Sequence, residues 1–446
     1  MTFTRTAITD TANEYAQKFW SFVGTTFRSV RHRNYRLFFM GQSVSLIGTW
    51  LQNTALSWLV YSITHDSRAL GIMSFLGSVP VLLIGIYAGT IADEYPKRKI
   101  IMITQSLAGL FALVMALVVW QDWTSIWILG AINFLLGVTI AFDLPTRQAF
   151  VVEMVGKEDV ANAVALNSSV FNAARLIGPA VAAMIIASIS IEMCFLLNGL
   201  SFIAVIISLA RMRMPNEERK ARKQHKSRLH AMKEGVHYLY QIPNYRALMT
   251  LVIAMTLFAW SYTVNLPAIA VQVLHGSEGT YAALLSANGL GALLAALSQA
   301  AFGPRMRPRM MLYISIATFV VAVSFIPLVT AQLGVMALLV IAGWSIITFF
   351  ITANSTLQRY VPDELRGRVM GIYSLSFTGL YPFGSLLTGF LGHEFGVGPA
   401  LWFDAGIMAL IAIPTYFWAR TLPRLSEIAA RSGSHSVYPA TVMNHK

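Results

Sequence analysis

Asn34-Tyr35-Arg36 opens an apolar stretch, and Asn244-Tyr245-Arg246 opens another, 210 residues further along. The register holds beyond the triplet, because Trp50 in the first stretch falls opposite Trp260 in the second. It extends to the next stretch as well. The apolar run ending at Gly89 is followed by Lys97, Arg98 and Lys99; its counterpart near Gln299 is followed by Arg305, Arg307 and Arg309. A chain that repeats itself across its two halves folds as two similar units. Duplicated apolar halves of this kind imply a two-lobed membrane carrier with its site between the lobes.

Composition points the same way. The chain has 446 residues, of which 56% are hydrophobic and 12% charged, and its mean hydropathy is +0.60. A soluble domain carries about 25% charged residues, so lipid is the solvent implied for most of this one. The net charge of +13 and pI ≈ 9.9 would also suit nucleic acid. The cations sit in short loops between apolar runs, however, which matches an anionic membrane surface and makes nucleic acid a remote alternative. A lone cysteine, Cys194, excludes an internal disulfide and reads as packing. The first 34 residues lack the apolar core and cleavage site of a secretory signal. Phe19, Phe22, Val23 and Phe27 share a face across residues 11–27, giving either an amphipathic helix on the inner membrane surface or a weakly ordered tail.

A spanning helix needs about 20 mostly apolar residues. Twelve stretches qualify: 35–62, 70–92, 100–120, 125–143, 160–188, 191–211, 247–273, 280–302, 310–329, 333–355, 369–392 and 399–419. Lys and Arg crowd alternate loops and residues 211–233, whereas the opposite loops hold only Arg68 among these types. Both termini are therefore expected in the cytoplasm. The fold expected is an all-α membrane protein of twelve transmembrane helices in two pseudo-symmetric six-helix bundles. Its parts are a segment 1–34, a bundle 35–211, a basic linker 212–245 read as a solvated tether, a second bundle 246–420 and a tail 421–446.

Between the second and third spans the chain reads Gly89-Thr90-Ile91-Ala92-Asp93-Glu94-Tyr95-Pro96-Lys97-Arg98-Lys99. This resembles the cytoplasmic signature of the major facilitator superfamily, with Glu94 and Pro96 in place of its usual Arg and Gly. Asp143-Leu144-Pro145-Thr146-Arg147-Gln148-Ala149, Ala163-Val164-Ala165-Leu166-Asn167-Ser168 and Ala174-Arg175-Leu176-Ile177-Gly178-Pro179-Ala180 resemble the enterobactin-exporter-like branch, also called transmembrane secretion effectors. The resemblance covers residues 33–424 and implies a secondary transporter of the bacterial inner membrane, in a group where many members are described as exporters of siderophores or other small molecules. It also implies that Asp93, Lys97 and Arg98 latch the cytoplasmic side against the second lobe; an ordinary structural salt bridge is the plainer reading. Gly89 allows close packing at a helix end. Pro145 is expected to end the fourth span, leaving Asp143 and Arg147 free to join the cluster. Gly178-Pro179 resembles the bend of superfamily antiporters, with Ala182 and Ala183 where that motif has glycines. In the fourth span Asn133, Gly137 and Ala141 keep the antiporter spacing, but Asn133 stands where an Arg is usual.

An ionisable residue deep in a span is a functional candidate by default. Arg175 shares a helix face with Ser168 and Asn172, a face that would look into the cavity and hold an anionic or catechol-like group, or else tie helices together. Asp404 is a candidate proton carrier, or a paired structural acid. Trp50, Asn53, Trp260, Asn265, Asn288 and Trp344 are neutral cavity candidates, together with the stripe Tyr373, Phe377, Tyr381; helix packing is the alternative for the stripe. No phosphate loop, Cys pair or His-Glu-x-x-His occurs, so no cofactor, metal or enzymatic activity is expected. The expected function is proton-coupled export of a small amphipathic metabolite, siderophore or drug by a monomer. A lysophospholipid-handling carrier and a non-transporting ligand sensor are the alternatives.

Overall fold

Surrounded by lipid, a chain must close its backbone hydrogen bonds within itself, and helices do so segment by segment. The computed structural model describes residues 28–213 and 228–423, and among these it contains helices and no strand. The expected helix at 11–27, the middle of the linker and the tail beyond 423 lie outside the described residues. The first six long helices are α1 (Arg33–Thr64), α2 (Ser67–Glu94), α3 (Lys97–Trp120), α4 (Ile126–Gly156), α5 (Glu158–Ser188) and α6 (Glu192–Ala210). A linker helix, α7 (Arg228–Gln241), follows. The second six are α8 (Pro243–Val273), α9 (Glu278–Phe302), α10 (Pro308–Leu328), α11 (Gln332–Tyr360), α12 (Asp363–Glu394) and α13 (Val397–Thr421).

Ten of these contain stretches long and apolar enough to cross a membrane. The other two, α1 and α12, have 32 residues each and are more polar. Their polar residues are turned inward: Gln42, Ser45, Gln52 and Thr54 on α1, Ser385 and Thr388 on α12, are all buried. Helices that line the interior of a bundle show this pattern.

The repeat seen in the sequence is a repeat of contacts. Asn34 Nδ2 donates to the carbonyl of Arg213 at 2.9 Å, tying the start of the first half to its end. Asn244 Nδ2 does the same to Pro423 at 2.9 Å. The hydroxyl of buried Tyr35 donates to Ala163, and that of Tyr245 to Tyr360, both backbone carbonyls within their own halves.

Two expectations are corrected. Pro145 does not end α4, which continues to Gly156; there φ is 73° and ψ 175°, a backbone conformation essentially confined to glycine. Membrane helices tolerate an internal proline because surrounding groups can take up the freed carbonyl, which here belongs to Ala141. Asp143 and Arg147 are therefore not free charges but a pair on one helix. The described part of the linker is not a solvated tether either. It forms α7, docked on α12 through Glu234 and Arg368 at 2.6 Å, with Gly235 against Ile372.

The two halves meet along α2–α12 and α5–α9. At the end away from the linker the approach is backbone to backbone: a Cβ on Gly71 would lie 2.8 Å from the Ser385 carbonyl and 3.1 Å from Gly389 Cα. About four turns along the same face of α2, Gly85 meets nothing within 4 Å, and neither does Gly371, about five turns from Gly389 on α12. The seam is thus closed at the far end and open toward the linker.

Candidate functional site

Trp50 and Trp260, equivalent in the repeat, converge on one side chain. The Arg175 guanidinium lies 5.8 Å from the Trp50 ring centroid and 5.5 Å from that of Trp260. Helix α1 supplies one ring, α8 the other, and α5 the cation between them. Gly178 permits this, since a Cβ there would come within 2.5 Å of Trp50 Cβ. On the far side Gly289 brings α9 against the Arg175 backbone, with a would-be Cβ 3.0 Å from its carbonyl.

Arg175 is only 6% exposed. Its Nη2 donates to Asn288 Oδ1 at 2.5 Å, and Asn288 Nδ2 donates in turn to the Tyr262 hydroxyl. Its Nε is buried without a partner. Phe350 and Phe377 stand edge-on to Trp260 at 5.6 and 5.0 Å, and Phe171 stands edge-on to Trp50 at 5.6 Å. The result is a cation in an aromatic box. Withdrawing the charge from water costs several kcal/mol. A hydrogen bond to a charged group returns about 1.5–3 kcal/mol, and each ring face about 0.5–2 kcal/mol. Costs and gains are of similar size, so the site is poised, and one N–H of the guanidinium is left without a partner.

Helix α8 is irregular beside this box. Met255–Ala259 and Ile269–Val273 are wound as π-helix and Ser261–Asn265 as 3₁₀, so Trp260 sits at a change of winding. Interruptions of this type concentrate at functional sites. Toward the open end, Ser168 and the half-buried Asn172 continue the Arg175 face of α5, with Asn172 Nδ2 donating to the Ser168 carbonyl at 2.8 Å. Asn53, one turn from Trp50, is exposed. Tyr381 accepts from Ser74 across the seam at 3.2 Å.

Other candidates lie apart. Asn133 Nδ2 donates to the Met73 carbonyl at 2.8 Å, tying α4 to α2 inside the first half. Asn265 is fully buried and donates to the Thr388 carbonyl at 3.3 Å. The Trp344 indole donates to Ser298 at 3.0 Å and lines a separate cavity between α9, α10 and α11. Tyr373 donates to the Phe350 carbonyl at 3.0 Å, supporting the box from behind. Asp404 is fully buried in α13, toward the end away from the linker, and accepts from the Thr388 hydroxyl at 3.1 Å.

At the linker end Lys97 pairs with Glu153 at 2.6 Å and Arg98 donates to the Ala210 carbonyl at 3.0 Å, both within the first half. Asp143 is buried, accepts from Thr104 at 3.0 Å and Gln105 at 2.9 Å, and pairs with Arg147. Gly89 and the exposed Asp93 lie in the last turns of α2. Pro179 is accommodated inside α5. Phe350 and Ser74 were not marked by any pattern in the sequence.

Two six-helix bundles joined by a linker, closed on each other at one end around a buried cation, define a multi-pass membrane protein of the major facilitator fold. The chain belongs to the transmembrane secretion effector family, whose model matches residues 24–445. It is 28% identical over 377 residues to the staphyloferrin A transporter of Staphylococcus aureus, covering 81% of this chain and 90% of that one. It is 22% identical over 394 residues to macrolide efflux protein A of Streptococcus pyogenes, covering 86% and 96%. Among solved structures the nucleoside transporter NupG superposes with a TM-score of 0.68 at 13% identity, covering 88% of this chain and 99% of that one.

Proposed function

We propose that this protein exports small amphipathic anions across the bacterial inner membrane by alternating access, in exchange for protons. The observation that carries this reading is Arg175: a cation with a spare N–H, held between two repeat-related tryptophans where the halves meet. Carboxylate or catecholate oxygen on a flat, apolar body suits such a box, since the charge meets the guanidinium and the body meets the rings. The relatives named as a siderophore transporter and a macrolide efflux protein support a substrate of this size. The excess of Lys and Arg at the linker end supports placing that end and both termini in the cytoplasm. The state described is then open to the cytoplasm, with Lys97 and Arg98 bonded inside the first half, as loading for export requires.

Asp404 is the proton carrier in this proposal. Its carboxyl has a single hydroxyl partner among the side-chain contacts and lies toward the side from which protons enter. The residues of the box all come from one chain, which supports a monomer as the working unit.

The test is accumulation of a labelled carboxylate or catecholate siderophore in everted vesicles under an imposed pH gradient, with vesicles lacking the protein as the blank. The reading predicts uptake that collapses with the gradient. Flux indifferent to the gradient would refute proton exchange, and flux limited to cationic substrates would refute the anion site.

A further inference from the structure

A cavity of about 760 Å³ opens at the linker end of the second half, among α8, α10, α11 and α13, far from the Arg175 box. Its floor is apolar, formed by Leu248, Leu251 and Ala317, and Arg307, Arg309 and Arg420 stand around it.

Comparison of the two halves explains why this place is unsatisfied. In the first half Lys97 is neutralised by Glu153 at 2.6 Å. The residues 210 further along are Arg307 and Asp363. Asp363 is taken by Arg366 at 2.5 Å, and no acid pairs with Arg307, Arg309 or Arg420 among the described residues. In the first half Asn34 Oδ1 accepts the Arg213 N–H at 3.2 Å. The equivalent of Arg213 is Pro423, which has no N–H to give. Asn244 Oδ1 is accordingly buried without a partner, at the edge of the same cavity, in a residue only 9% exposed. The second half therefore leaves Arg307 without the acid that Lys97 has and Asn244 Oδ1 without the donor that Asn34 Oδ1 has. Among the described residues, Arg309 reaches only the Leu422 carbonyl at 3.5 Å, and Arg420 lies over the Tyr416 ring at 5.6 Å.

We propose that this cavity binds an anionic glycerophospholipid whose head group bears hydroxyls, of the phosphatidylglycerol type. The phosphate lies among the three arginines, a head-group hydroxyl donates to Asn244 Oδ1, and the start of an acyl chain covers the apolar floor. The cavity sits at head-group depth, at the end of the protein richest in Lys and Arg, where anionic lipid concentrates. Guanidinium groups match phosphate oxygens in pairs.

The purified full chain, stripped of lipid and offered equal amounts of phosphatidylglycerol and phosphatidylcholine, is read by native mass spectrometry. Each arginine near an anionic group is worth about fivefold in occupancy, so the three together give a preference of up to roughly a hundredfold. The preference is expected in the wild type and in the control Lys99→Gln, which removes a cation at the equivalent place in the first half. It is expected to vanish in Arg307→Gln/Arg309→Gln/Arg420→Gln. Ala317→Trp fills the cavity with every charge intact and should abolish it too, which separates the site from general surface attraction. The proposal is overturned if the wild type shows no preference or if Ala317→Trp retains it. It also fails if excess inorganic phosphate displaces the lipid completely, or if lipid binds only after residues 424–446 are deleted; the occupants would then be a free anion and the chain's own tail.

Discussion

Removing Asn288 while leaving Arg175 in place strands a charge. Asn288→Leu deletes the one hydrogen-bond acceptor that the buried guanidinium has, at 2.5 Å, in a residue 6% exposed. A hydrogen bond to a charged group is worth about 1.5–3 kcal/mol. Each kcal/mol shifts the melting temperature by about 2–4 °C in a domain of 150–250 residues, so Asn288→Leu should melt roughly 3–12 °C lower. Adding Arg175→Met removes the charge itself. An apolar pair in place of a buried polar one is nearly neutral or stabilising, so the double variant should recover to within about 1 kcal/mol of wild type. The Tyr262 hydroxyl loses Asn288 in both variants, and that loss cancels between them. The assay is intrinsic-fluorescence melting in detergent, with export measured in parallel. Stability should return in the double variant and transport should not. If Asn288→Leu melts like wild type, or the double variant melts no higher than Asn288→Leu alone, the stranded-charge account is wrong.

Other predictions follow from the same geometry. Trp50→Ala and Trp260→Ala should each raise the transport KM by about two- to thirtyfold, the equivalent of one ring face; an unchanged KM in kinetic measurements would remove the rings from the site. Asp404→Asn retains a group able to bond Thr388, so it should fold normally and still move substrate down its gradient, but lose its response to an imposed pH gradient. Because Cys194 is buried, introduced cysteines can be labelled against a quiet background; Ser168→Cys should react with an aqueous thiol reagent and Ser385→Cys should not. Gly71→Val should reverse this, exposing Ser385→Cys, since even a Cβ there would crowd the Ser385 carbonyl at 2.8 Å. Gly156→Ala forces a side chain into φ 73°, ψ 175° and should cost about 1–3 kcal/mol in melting experiments.

How far the sequence could be read depended on whether a contact is local. Asn34-Tyr35-Arg36 and its copy announced the duplication, and the copies do the same work: both asparagines clamp the end of their own half at 2.9 Å. The pairing of Trp50 with Trp260 was legible as a correspondence, and its meaning was not, because both rings are brought to Arg175 by the packing of α5 between the halves. Spacing marked Asn133, Asn265 and Asn288 alike as amides in apolar surroundings. A backbone carbonyl satisfies such an amide as well as a cavity does, and only Asn288 faces the box. Pro145 misled because an internal proline is tolerated in membrane helices, where neighbouring helices and local changes of winding can serve the freed backbone group. The π and 3₁₀ turns of α8 left no mark in the apolar pattern, since a change of winding alters which carbonyl is bonded and not which residues are apolar.

The seam between the halves has the composition of a contact made to be broken. Within lipid no hydrophobic force presses helices together, and close van der Waals approach does most of the holding. At the closed end that approach is made by glycine: Gly71 against Gly389, Gly392 against Ser67, Gly289 against Arg175. Around these lie polar contacts that water can replace, such as Tyr61 with Gln272 at 3.0 Å and Asp66 with His393 at 2.8 Å. Apolar pairs cross the seam as well, Phe75 edge-on to Phe383 at 5.7 Å and Trp58 stacked on Tyr281 at 6.1 Å. Arg175 is the only cation buried in the seam's interior among the described residues. As the halves part, Asn288 leaves with the second half, and the guanidinium stays with the first. In the proposed export cycle, an anionic substrate would supply the missing acceptor at that moment. Loading and separation would then be linked by one requirement: the cation must be matched before the halves can come apart.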